Sequence, residues 1–218
     1  MFVGHLGVAL AGSAVARRRR WPLGLGSLVA AALWLDLLWP WLLFAGLERV
    51  RIDPGNTAFT PLAFDAYPWS HSLAMVLVWS ALGGLVVAWR RRSRAAGLLV
   101  GALILSHWVL DLAAHRADLP LWPGDAPRLG LGLWHSIPAT FLVEGALFAA
   151  GIWIYLDAAA PRSRSAARAF WSLMAACAIL WIAQPLSPPP PGPAAVAAGT
   201  LALWILPGWA AWADRDAS

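Results

Sequence analysis

Five histidines and three carboxylates carry the chemistry of this sequence. The histidines are His5, His71, His107, His115 and His135, and Asp36, Asp111 and Glu144 stand inside apolar runs. An ionisable group in an apolar membrane segment costs about 3 kcal/mol even on mild scales, so it faces a partner or a water-filled cavity. His107 and Asp111 are four residues apart, which puts them one above the other on a helix, and His115 extends that face by another turn. Imidazole and carboxylate together suit Zn²⁺ and, less selectively, other divalent first-row ions. His135 and Glu144 are nine apart, two and a half turns, and share a face only if His135 lies in a loop that folds back. Ser70, Ser72, Ser106 and Ser136 flank the histidines, where they can orient ring nitrogens or hydrogen-bond an anionic ligand. A plainer reading stays open for each of these residues. His107 with Asp111 can be a hydrogen bond that glues helices, and Glu144 can bond a Ser or Trp.

The elements that hold these residues must be membrane helices. Of 218 residues 60% are hydrophobic and only 12% are charged, too few to cover a water-facing surface. The mean hydropathy is +0.64. Apolar runs predict helices over 2–16, 23–47, 69–89, 95–116, 137–157, 167–184 and 193–213, with a kink or early end at Pro40. The expected fold is therefore all-α, a polytopic transmembrane bundle of about seven helices. It forms a single domain over 1–218, with the motifs in 1–157 and two accessory helices in 158–218. The Pro-rich stretch Ser187 to Pro193 is a stiff extended turn between the last two helices. The run from Phe2 has no basic residues before it, so it reads as a retained first helix rather than a signal peptide. Gly4, Gly7 and Gly12 read as close-packing positions, and the sixteen Trp mostly as an interfacial belt. The single cysteine excludes an internal disulfide.

The net charge of +5 does not mark a nucleic-acid binder, because the arginines fall in short runs at segment ends. Arg17 to Arg20, Arg90 to Arg92, Arg94, Arg162, Arg164, Arg168 and Arg215 fall on one side if the helices alternate. Arg49, Arg51, Arg116 and Arg128 fall on the other. Twelve against four predicts an outside N-terminus and a cytoplasmic C-terminus. All five histidines and the three buried carboxylates then share the outer half. Asp53, Asp65, Asp118 and Asp125 read as solvated loop residues.

The segments GHLGVALAG, WLDLLWP with Asp36, WSHSLAM, SHWVLDLAAH and LWHSIPATFLVEG resemble the bacterial inner-membrane, LexA-regulated, metal-dependent hydrolase family. Their order of His and Asp is also similar to zinc-dependent phospholipase C. The resemblance covers roughly residues 1 to 150. It implies His5, Asp36, His71, His107 and Asp111 as metal ligands, with His115, His135 and Glu144 as further candidates. The late His and Glu stand nine apart rather than one turn, which departs from the phospholipase pattern.

The expected function is a membrane-embedded hydrolase with Zn²⁺, as two or three ions, acting on a phosphoester of a lipid or lipid-linked substrate at the outer leaflet of a bacterial inner membrane. Glu144 and Asp36 are the candidate catalytic carboxylates. Arg116, Arg128, Ser72 and Ser136 are the candidate substrate-binding residues. Two other classes remain: a divalent-cation or proton-coupled transporter, and a structural membrane protein whose polar residues only hold the bundle. The inner halves of the helices are Ala, Leu, Val, Gly and Trp, which favours a one-sided site over a pathway.

Overall fold

Serine hydroxyls start four of the long helices. Ser72, Ser93, Ser136 and Ser163 each sit in extended backbone and accept the amide N–H three residues on, satisfying a donor the helix cannot use itself. The computed structural model describes residues 1–215. The last three residues of the single domain expected over 1–218 lie outside that range. The helices are α1 (Phe2–Arg18), α2 (Leu25–Ala32), α3 (Trp34–Phe44), α4 (Pro68–His71), α5 (Leu73–Arg91), α6 (Arg94–Ala114), α7 (Ile137–Ala159), α8 (Arg164–Ala183), α9 (Pro193–Leu201) and α10 (Ile205–Asp214). Among the described residues five segments are long and apolar enough to cross a membrane: α5, α6, α7, α8 extended to Leu186, and α9 run on through α10. The bent pair α2–α3 makes a sixth if it is one span. Eight tryptophans, including Trp89, Trp153 and Trp171, are exposed on this apolar surface, whereas Trp39, Trp108, Trp134 and Trp181 are buried.

Three features depart from the helices read off the sequence. The predicted 23–47 helix breaks at Leu33 with a bend of 55°, not at Pro40. The break leaves the Ala32 carbonyl free, and His107 Nδ1 takes it at 2.7 Å. A side chain entering the backbone ladder is a sufficient cause of such a bend. The predicted 69–89 helix is likewise split at Ser72, so that α4 is a single turn separate from α5. Finally, the segments between helices over 48–68 and 117–134 each carry a hairpin. Strands β1 (Arg49–Ile52) and β2 (Leu62–Ala66) pair antiparallel, as do β3 (Leu119–Pro120) and β4 (Arg128–Leu129). Both hairpins lie at the histidine end. Phe64 of β2 stacks there on Trp134 and packs at a tilt against Tyr67 and His115.

Helix α1 is the hub. Most of its residues are buried, and it packs on α7, α2 and α6. It meets α7 backbone to backbone. A Cβ on Gly7 or Gly151 would overlap the Leu147 carbonyl or Gly7 itself, so these positions admit only hydrogen. At the other end of the bundle Asp214 collects four elements. It pairs with Arg17, and accepts the Leu25 amide at 2.8 Å and the Tyr155 hydroxyl at 2.9 Å. Arg17 therefore does more than mark topology: it anchors α1 to α10. Arg18 pairs with Asp157 in the open.

That contrast is testable. Asp214→Ala removes the acceptor shared by the part-buried Arg17, the Leu25 amide and the Tyr155 hydroxyl, and is expected to cost about 3 kcal/mol. Asp157→Ala is expected to cost under about 1 kcal/mol, as exposed pairs do. Thermal unfolding of both variants in detergent checks this, and equal shifts would contradict the role given to Asp214.

Candidate metal centre

Two elements, α4 and α6, deliver three imidazoles, each held by its Nδ1. His107 comes from α6, and its Nδ1 stands 2.7 Å from the Ala32 carbonyl. A carbonyl can only accept, so this nitrogen carries the proton. His71 ends α4, with Nδ1 at 2.6 Å from Ser70 Oγ. That hydroxyl donates to Glu48 Oε2 at 2.7 Å, and Glu48 Oε1 accepts the Trp69 and Ser70 amides. With its one proton given to Glu48, Ser70 accepts from His71. His115 caps α6, and its Nδ1 donates to Asp118 Oδ1 at 2.9 Å. Asp118 also accepts the Tyr67 hydroxyl at 2.9 Å and Arg116 Nε at 3.3 Å. Each ring, when neutral, therefore presents an Nε2 lone pair inward, the tautomer that metal-binding histidines adopt when their other nitrogen is held.

Those lone pairs face carboxylate oxygens. His107 Nε2 lies 3.2 Å from Asp111 Oδ2 and 3.7 Å from Asp36 Oδ1. His71 Nε2 lies 3.7 Å from Asp36 Oδ1 and 3.8 Å from Asp111 Oδ2. His115 Nε2 is 3.9 Å from Asp111 Oδ2. His107 Nε2 is buried and has no hydrogen-bond partner. Acceptors that face acceptors out of water repel, and a cation between them removes the repulsion. A tetrahedral ion with ligands at about 2.0–2.2 Å sets the ligand atoms about 3.3–3.6 Å apart. The four N···O approaches among Asp36, His71, His107 and Asp111, at 3.2, 3.7, 3.7 and 3.8 Å, are within a few tenths of an ångström of that spacing, and the ligand atoms of Asp36, His71 and His107 form one group.

His5 of α1 adds a second group with His107 and Asp111. Its Nε2 is 3.1 Å from Asp111 Oδ1, and its ring stacks on His107 at 3.7 Å between centroids. Met1 donates its amino group to the same Asp111 oxygen at 2.6 Å. His107 thus belongs to both groups, and Asp111 turns Oδ1 to His5 and Oδ2 to His107. Buried His and Asp in these two groups can hold a metal ion.

The remaining expected site residues fall elsewhere. His135 is exposed in the turn Leu133–His135 and belongs to neither group. Glu144 is buried but also stands outside both; its Oε1 accepts the Trp134 indole at 3.4 Å. The Ser72 and Ser136 hydroxyls are taken up as caps of α5 and α7. Arg116 is bound to Asp118, and Arg128 donates to the Asp65 carbonyl at 3.1 Å. Asp118, read as a solvated loop residue, is instead buried. Its place three residues after His115 is the signal that would have found it. Glu48 is buried too, and no spacing in the sequence links it to His71. Burial pushes the Glu48 carboxyl up, opposed by His71, Ser70 and the Ser70 and Trp69 amides. Burial, and then Asp118, raise the Tyr67 hydroxyl well above the usual phenol range, so it remains a donor. Gly130 carries the chain past Arg116 so closely that a Cβ would overlap the Arg116 carbonyl, and the Gly132 amide then donates to the His115 carbonyl at 2.7 Å.

The cluster forms the floor of a cavity of about 460 Å³. Asp36, His71, Asp111 and His115 face it; Trp39, Phe64, Trp134, Leu180, Val196 and Leu203 are among its walls. Asp36 is the most open of the four central ligands at 25% exposure, against 6% or less for the others. The cavity therefore reaches the cluster most openly at Asp36. No arginine among the described residues lines the cavity. Comparison with protein-family models, with curated proteins and with solved structures found no match.

If Glu48 and Asp118 orient the ligands as described, Glu48→Ala and Asp118→Asn lower metal affinity about 10–100-fold without removing a ligand. Competition with a zinc-binding dye measures this. Unchanged affinity in both variants would contradict the orienting role.

Proposed function

We propose that this protein is a membrane-embedded, metal-dependent hydrolase of the phosphoester of a lipid or lipid-linked substrate. The observation that carries the reading is the convergence of Nε2 lone pairs and buried carboxylates on the floor of an apolar cavity. The resemblance to the LexA-regulated hydrolase family and to zinc-dependent phospholipase C supports the same reading. Asp36, His71, His107 and Asp111 hold the ion, Zn²⁺ by the chemistry of this donor set. His5 with the second oxygen of Asp111 offers a further position, and His115 approaches from the cavity side. When bound, the metal lowers the pKa of a coordinated water and polarises the phosphoryl oxygen.

The protein's own groups set the rest. Two carboxylates without an arginine beside them repel a phosphate, so anion binding here depends on the cation. Phe64 and Trp134 exclude water from one side. Glu144 has one buried oxygen without a partner and lies a layer behind the ligands, where it holds charge or a proton rather than touching substrate. The positive-inside bias puts the site at the outer leaflet of the bacterial inner membrane. The N-terminus is then outside and the C-terminus in the cytoplasm. The seven crossings expected from the sequence follow when α1 and the bent pair α2–α3 each count as one. The core below the cluster is Leu6, Leu10, Leu28, Leu103 and Ile104, which favours a one-sided site over an ion path.

Protein purified without chelator and reconstituted with zinc is expected to release phosphorylated headgroups or inorganic phosphate from phospholipids or lipid pyrophosphates. Asp36→Asn is expected to lose at least 100-fold in kcat while folding normally. Because ligands bind only when deprotonated, activity should fall as pH drops through the imidazole range, around 6.5. A fully zinc-loaded wild type that turns over none of these lipids would overturn the reading.

A further inference from the structure

The two C-terminal helices carry none of the chemistry-bearing residues, yet they complete the cavity over the cluster. Helix α8 packs on α10 and α9 packs on α3, so the outer ends of α8 and α9 lean on different neighbours. The stretch from Ser187 to Pro193 joins them through five prolines, which lack amide donors and hold the backbone extended. The space left between these ends is where Leu180, Val196, Gly199 and Leu203 line the cavity, opposite Phe64 and Trp134. Leu180 is 59% exposed at its mouth. A Cβ on Gly199 would meet nothing within 4 Å, so the wall has room to spare there. The volume of about 460 Å³ lies in the range of sites for small organic ligands, roughly 300–1,000 Å³.

We infer that this space holds the hydrocarbon chain of the substrate, with α8, the proline turn and α9 as its wall and the ligand cluster at its phosphate end. The inference rests on the phosphoester reading above and adds the chemical class: an amphiphile with one phosphorylated head and a long apolar tail. The occupant follows from the arrangement. A polar floor under apolar walls, opening between helices that face lipid, matches a molecule with the same polarity along its length. A soluble phosphoester uses the floor and leaves the walls wet. The C-terminal hairpin thereby sets which chain is accepted, while α1, α3, α4 and α6 supply the chemistry.

The test uses the full-length, zinc-loaded protein and a series of n-alkyl phosphates from methyl to dodecyl. In the wild type, affinity is expected to rise up to about fourfold for each buried methylene. In Gly199→Trp the rise is expected to flatten beyond the short chains, with metal content unchanged and methyl phosphate affinity within twofold; Gly199→Ala is the control and behaves as wild type. A dodecyl phosphate carrying a mid-chain diazirine is expected to label Leu180, Val196 or Leu203 of the wild type, a readout that stands even if the tryptophan variant fails to fold. Equal affinity for short and long chains, or label confined to the lipid-facing Leu85 and Trp89 of α5, would overturn the inference. Zinc and lipid turnover without chain dependence sinks this inference and leaves the hydrolase reading standing. Chain dependence and labelling without turnover of any phosphoester does the reverse.

Discussion

Lone pairs pointed at carboxylates, out of reach of water, are the constraint on which this structure turns. His71, His107 and His115 each have Nδ1 committed to an acceptor, so in the neutral ring each Nε2 faces inward as an acceptor itself. What they face is Asp36 and Asp111. An isolated set of this kind is repulsive and is tolerated only with a cation among its members. The amino group of Met1 compensates one oxygen of Asp111. It does not reach the pairs between His71, His107 and Asp36.

The architecture can be read as the set of local irregularities needed to build that cluster. A straight helix over 23–47 would keep the Ala32 carbonyl for its own ladder, and the bend at Leu33 gives it to His107. A continuous helix through Ser72 would not present both the Ser70–Glu48 relay and the cap of α5. The single turn of α4 presents both. The hairpins bring Phe64 and Asp118 over the histidines. Around these irregular pieces the regular helices are held by close backbone contact at Gly7 and Gly151 and by the Asp214 cluster at the opposite end. A rigid frame is what keeps ligands within a few tenths of an ångström of a usable geometry.

Much of this was legible in the sequence because membrane helices and their ends leave strong marks. Apolar length located the crossing helices, and the four-residue step from His107 to Asp111 placed both on one face. The approach of Asp36, His71 and His5 to that face depends on tertiary packing, and the sequence offered only their shared half of the bilayer and a family resemblance. The misreadings have physical causes. Pro40 drew attention as a helix breaker, yet a side chain competing for a carbonyl bent the helix two turns earlier. His135 sits beside a serine as His71 does, but the turn before α7 directs it outward. Asp118 and Glu48 stand among polar loop residues, and only folded hairpins show that they are buried behind histidines. The cavity was illegible because its far wall comes from α8 and α9, whose residues are apolar and without motif.

The central claim is that Asp36, His71, His107 and Asp111 bind one cation through nitrogen and oxygen. X-ray absorption at the zinc edge, on protein purified without chelator and supplied with zinc, tests it most directly. The account predicts stoichiometric zinc in a four- or five-coordinate nitrogen and oxygen shell at about 2.0–2.1 Å, with outer-shell scattering from at least two imidazoles. His107→Ala should lose that imidazole signal or the metal altogether. A wild type that takes up no zinc, or an identical spectrum in the variant, would contradict it and leave protonated histidines as the cations that hold the cluster together.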